Sequence, residues 1–147
     1  MKQRYIALME RTLAAYADEQ IVSYFERVKR DGLTEHGFPR MAANIGILIA
    51  HGRRKDLMPL FLDMMDFCCE QIPRVKAAND FSVREIVCAL MEIEAAGAVP
   101  AERLAAWKRD IIPERLESGS VSSVRIRTSF SSLLCASEVR GDTVERV

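Results

Sequence analysis

Surplus charge is the first thing missing from this chain. Lys plus Arg and Asp plus Glu number 21 each, so no global excess draws it to nucleic acid or to anionic lipid. Aromatics are scarce, at 7% with a single Trp. The one aromatic-plus-basic group, around Tyr5, Tyr16, Tyr24 and Arg27, is too dispersed to stack bases. No apolar run approaches the roughly 18–20 residues of a membrane span, and no apolar core with a small-residue cleavage site follows Met1-Lys2-Gln3-Arg4-Tyr5. No cysteine pair has the C-x2-C spacing of a zinc site, and neither histidine has a second ligand at i+4. Gly-rich phosphate loops and the G-x-S-x-G nucleophile elbow are also absent. The expectation is a cytoplasmic chain with no metal, no cofactor, no nucleic acid and no membrane as partner.

What is present suits one globular domain. The 147 residues are 49% apolar and 29% charged, inside the range of chains that build a single core. Cys68 and Cys69 are adjacent, about 100° apart around a helix, and cannot form an ordinary disulfide. With Cys88 and Cys135 they read as small buried hydrophobes in a reducing compartment. Met64-Met65 likewise reads as core filling.

Periodicity and punctuation predict six helices. The first runs from about Lys2 to Tyr16 with Tyr5, Ile6, Met9, Leu13 and Tyr16 inward. Asp18 caps the second, whose stripe is Ile21, Val22, Phe25 and Val28 before Asp31-Gly32. Pro39 sits in the first turn of the third, which is apolar nearly all round from Met41 to Ala50 and therefore expected among other helices. Gly46 in its middle implies close helix approach, and Gly52 ends it. Arg53-Arg54-Lys55 reads as solvated helix-end chemistry. Asp56 caps the fourth helix, which Pro73 stops. Ser82-Val83-Arg84-Glu85 fits a capping box for the fifth, with Phe81 and Ile86 as its hydrophobic staple and Gly97 at its end. Pro100 opens the sixth, which carries Leu104 and Trp107 inward and ends near Ile111.

Each helix pair spans roughly 40 residues, the mark of repeated αα-hairpins with short turns and antiparallel partners. The fold expected is all-α: three consecutive antiparallel αα-hairpins, a partial α/α toroid or a helical-repeat array, over residues 1–117. Residues 118–147 are Ser-rich and lack helical period. They read as a poorly structured tail, either a disordered extension or the translation of a shifted frame. The second is favoured, because a three-pair array lacks a polar closing helix.

Leu90-Met-Glu-Ile-Glu-Ala-Ala-Gly97 leading into Val99-Pro-Ala-Glu-Arg-Leu-Ala-Ala-Trp107, within alternating buried and exposed helices, resembles (α/α)-toroid proteins. These include the heparinase II/III-like polysaccharide lyases and several glycoside hydrolases. The resemblance covers about residues 1–117, half a ring or less. It implies a truncated piece of a carbohydrate-active protein, not catalytic alone, with its sugar site at the N-terminal ends of inner helices. The alternative reading is a small helical-repeat scaffold that binds a protein partner.

Two polar loops precede inner-helix candidates. Thr34-Glu35-His36-Gly37-Phe38-Pro39-Arg40 is followed a turn later by Asn44, and Lys76 to Glu85 contains Asn79, Asp80 and Arg84. If helices three and five are neighbours, His36, Arg40, Asn44, Asn79, Asp80 and Arg84 converge on one cleft. Amides and cations there suit sugar hydroxyls and uronate carboxylates, and His36 would be placed to act as a base. The plainer readings are turn and cap chemistry for Asn79-Asp80, capping for Glu85, and a helix-end surface position for His51. Asn44 is the residue least at ease under them, since a buried amide needs partners.

Overall fold

The computed structural model describes residues 2–74 and 79–111, with the backbone alone at 79 and 80. The order is α1 (Lys2–Leu13), α2 (Asp18–Asp31), α3 (Gly37–Ala50), α4 (Met58–Gln71), α5 (Asn79–Ala96) and α6 (Ala101–Ile111). Single 3-10 turns, Lys55–Leu57 and Ile72–Arg74, precede and follow α4. The body is all-α, three consecutive helical hairpins with no strand among the described residues. No helix among them is long and apolar enough to cross a membrane. The expected boundary at 117, the tail 118–147 and Cys135 lie outside the described residues.

α3 is the centre. It packs on α1, α4 and, most closely, α5. Side chains at both ends show that α3 and α5 run parallel: Arg40 meets Glu85 near their starts, and His51 meets Glu92 near their ends. Gly46 is what allows the approach. A Cβ built on it would stand 2.7 and 2.9 Å from ring carbons of Phe61 and 3.1 Å from Cδ1 of Ile93. Beyond the end of α3, Gly52 takes φ 76° while its N–H bonds Ile49 and the Arg53 N–H bonds Leu48. That left-handed close is cheap only for glycine.

α2 rests on this body through rings. Phe25 stacks on Phe38 at 5.2 Å, and Phe67 meets both edge-on at 5.7 and 5.9 Å, joining α2, α3 and α4. On the far side Phe61 meets Trp107 edge-on at 6.0 Å, joining α4 to α6. Cys68 and Cys69 are buried as expected, and burial pushes the Cys68 thiol up to about 12 and raises Cys69 as well. Cys88 is exposed, against expectation, because it lies on the outer face of α5.

Several helix starts differ from the sequence reading. α1 ends at Leu13, with Ala14–Tyr16 in a turn. Its inner stripe is Ile6, Met9 and Leu13, while Tyr5 and Tyr16 are exposed, one off the stripe and the other past the helix end. α2 is capped at Ala17, whose N–H donates to the Gln20 side chain at 2.8 Å. Asp18 instead accepts from Arg54 at 2.7 Å, and Val22 faces outward. Asp56 does not cap α4; Arg54 grips it through Nε and Nη2. The two arginines of the basic run after α3 are thus paired, with Arg53 on Glu10 at 2.9 Å.

α5 begins three residues early, at Asn79, so the capping box does not form. Asn79 and Asp80 are themselves favoured at helix starts. Phe81 points outward rather than stapling Ile86. Ser82 is left inside the helix, fully buried, its hydroxyl without a partner among the described residues. Desolving a hydroxyl with no compensating bond costs on the order of 1–3 kcal/mol, and alanine is the better helix former. Ser82→Ala is therefore expected to raise the urea midpoint, by a gain of about 1 kcal/mol. A loss would show that the hydroxyl is satisfied in solution.

Candidate functional site

The parallel pairing of α3 and α5 decides what meets at their N-terminal end. His36 occupies the cap position of α3 with no side-chain cap bond, leaving its ring free of the helix start. That ring lies 5.9 Å from Phe81, tilted by 34°. The Arg84 guanidinium stands over the same Phe81 ring at 5.1 Å. Arg40 Nε is 3.7 Å and Arg84 Nη2 3.9 Å from one oxygen of Glu85. These distances exceed hydrogen bonding, so both guanidiniums are held loosely by one shared carboxylate. Both arginine side chains are about half exposed, and Phe81 is 56% exposed.

His36, Arg40 and Arg84 are thus brought together. Asn44 follows one turn along α3 and is only partly buried, because α3 keeps a partly open strip through Met41, Asn44, Ile47 and Ala50. The all-round burial expected of this helix does not hold on that strip. Asn79 and Asp80 sit in the first turn of α5 at the same end, and their side chains lie outside the described residues. Sequence reasoning missed Phe81 as part of the group, having assigned it to the staple, and missed Glu85 as a shared partner. The available signal was Phe81 three residues before Arg84 on a helix that starts early.

Other polar groups serve the fold. At the opposite end of the α3–α5 pair, Glu92 accepts from His51 Nε2 at 2.9 Å and from Lys2 at 3.0 Å, tying α1 to both helices. Burial alone would raise the Glu92 carboxyl, but bonds from Lys2 and His51 outweigh it and hold it below its ordinary value. A carboxylate lowered on folding stabilises at neutral pH, and that contribution is lost as pH falls through the folded value. Glu92→Gln should therefore flatten the acid limb of stability between about pH 5 and pH 3, read from urea midpoints. An unchanged limb would show that the cluster contributes nothing.

Between α2 and the start of α3 lies a shallow concavity of about 1010 Å³ lined by Tyr16, Val22, Tyr24, Arg27 and Met41 among others. It is open and mixed in charge. Tyr24 donates to Glu35 at 3.1 Å and carries Arg27 over its ring, so the phenol at its rim is already engaged. No group of three or more His, Cys, Asp or Glu among the described residues is placed to hold a metal. Comparison with family models, with curated proteins and with solved structures found no match to this chain.

Proposed function

We propose that the chain is a helical-hairpin piece of a carbohydrate-active protein of the (α/α)-toroid type. It binds rather than turns over, and its ligand-facing end is the His36–Arg40–Phe81–Arg84 group. One observation supports this reading: the first turns of α3 and α5, more than 40 residues apart in sequence, lie side by side because the two helices run parallel. Two loosely held guanidiniums at that end suit a carboxylate, which Arg recognises with two parallel hydrogen bonds. The positive ends of two helix dipoles add to the same preference. Uronate-bearing oligosaccharides present such carboxylates together with hydroxyls for Asn44.

Calorimetric titration of the full chain with a tetrameric oligouronate, against a neutral tetrasaccharide, tests the proposal. The acidic sugar alone is expected to bind, and Arg40→Ala and Arg84→Ala should each weaken it about tenfold, near 1.4 kcal/mol. Equal response to both sugars, or no response to either, overturns the reading.

A further inference from the structure

α1 is apolar on two sides. Ile6, Met9 and Leu13 face the body and are buried. On the outside, Tyr5 is 60% and Leu8 52% exposed, the two most adjacent of the large exposed apolar residues. Arg4 and Arg11 flank Leu8 at helical spacings of four and three, which places all three on one stripe. Both arginines are exposed, and neither pairs with a carboxylate among the described residues. The only acid of α1, Glu10, is engaged by Arg53, and Lys2 is engaged by Glu92. The outer face of α1 therefore carries Tyr5 and Leu8 with Arg4 and Arg11 beside them and, among the described residues, no unpaired acid.

We propose that this face docks an acidic amphipathic helix of a partner protein. Charge complementarity selects that occupant: a helix with leucines at i, i+3 and i+4 would cover Tyr5 and Leu8, while flanking carboxylates reach Arg4 and Arg11. A two-fold α1–α1 contact between copies would set these arginines against each other, so a second copy is disfavoured in that arrangement. A lipid surface is a poorer fit, because half of the helix is committed to the body and only two large apolar side chains remain outward. This inference uses a different surface from the α3–α5 end, and it stands or falls independently of sugar binding.

The test is fluorescence anisotropy of the full chain with a labelled 18-residue helical peptide bearing leucines at i, i+3, i+4 and i+7 and glutamates elsewhere. Binding in the micromolar range is expected, weakening about tenfold between low and 0.5 M salt as screening requires. Arg4→Glu with Arg11→Glu should reduce affinity at least tenfold, and Leu8→Asp should abolish binding. All three positions are exposed, so the melting temperature should stay unchanged and confirm folding. A lysine version of the peptide should not bind. No binding, or binding indifferent to these variants, overturns the proposal. So does concentration-dependent self-association that Leu8→Asp removes, or binding to phosphatidylserine vesicles tighter than to the peptide.

Discussion

Gly46→Ala should destabilise the protein by about 2 kcal/mol, although alanine is the better helix former. The helix preference favours the change by about 1 kcal/mol. Against it stands overpacking, which costs about 1–3 kcal/mol in a well-packed core. The contact lies at the severe end of that range. The added carbon would come within 2.7 Å of the Phe61 ring, and Phe61 is fully buried and packed edge-to-face with Trp107. A ring so placed has nowhere to retreat. Gly46→Val adds two more carbons against the same neighbours and is expected to abolish cooperative folding. Urea titration followed by circular dichroism measures both. In a double-mutant cycle, Phe61→Leu should relieve part of the alanine penalty, a coupling of about 1 kcal/mol or more. Gly46→Ala at or above parental stability would mean that Phe61 of α4 and Ile93 of α5 do not press on α3 as closely as described.

Truncation of Trp107 should cost more. Its ring is 2% exposed, and loss of a buried Trp to alanine costs about 3–5 kcal/mol. Part of that is specific to the indole: Nε1 donates to Asp66 at 2.6 Å, and Arg103 holds the same carboxylate. Burial would raise the Asp66 carboxyl, but the bonds from Arg103 and Trp107 together prevail and hold it below its ordinary value. Trp107→Phe keeps most of the apolar volume and removes the donor, so it should cost about 1.5–3 kcal/mol, the range for bonds to a charged partner. Arg103→Ala should cost under about 1 kcal/mol, because that ion pair is substantially exposed. Thermal and urea unfolding of the three variants gives the order Trp107→Ala, Trp107→Phe, Arg103→Ala. A Trp107→Phe variant indistinguishable from the parent would remove the indole–carboxylate bond from the account.

The candidate end of the molecule was partly legible. The stretches from Thr34 to Arg40 and from Lys76 to Glu85 already contained His36, Arg40 and Arg84, which would share one end provided that α3 and α5 were neighbours. Phe81 and Glu85 were misassigned because Ser82-Val83-Arg84-Glu85 satisfies a local capping pattern. The helix already includes Asn79 and Asp80, so it begins ahead of that pattern. Capping competes within a single turn, so several residues qualify locally and a pattern alone does not fix the start. Asp66 was overlooked for a related reason. No basic residue lies within four positions of it in the sequence; its partners lie 37 and 41 positions away.

The sequence by itself determined the six helices, their approximate spans, most of their inward stripes, and the need for a close neighbour at Gly46. These follow from a 3.6-residue period and from Gly and Pro, all of which act within a turn or two. Only the tertiary structure decided which neighbour fills the space over Gly46, that α3 and α5 run parallel, and that Arg40 and Arg84 share Glu85. Those facts depend on how helices choose among several apolar faces of similar strength, and that choice is made by ring shape and burial across the whole core.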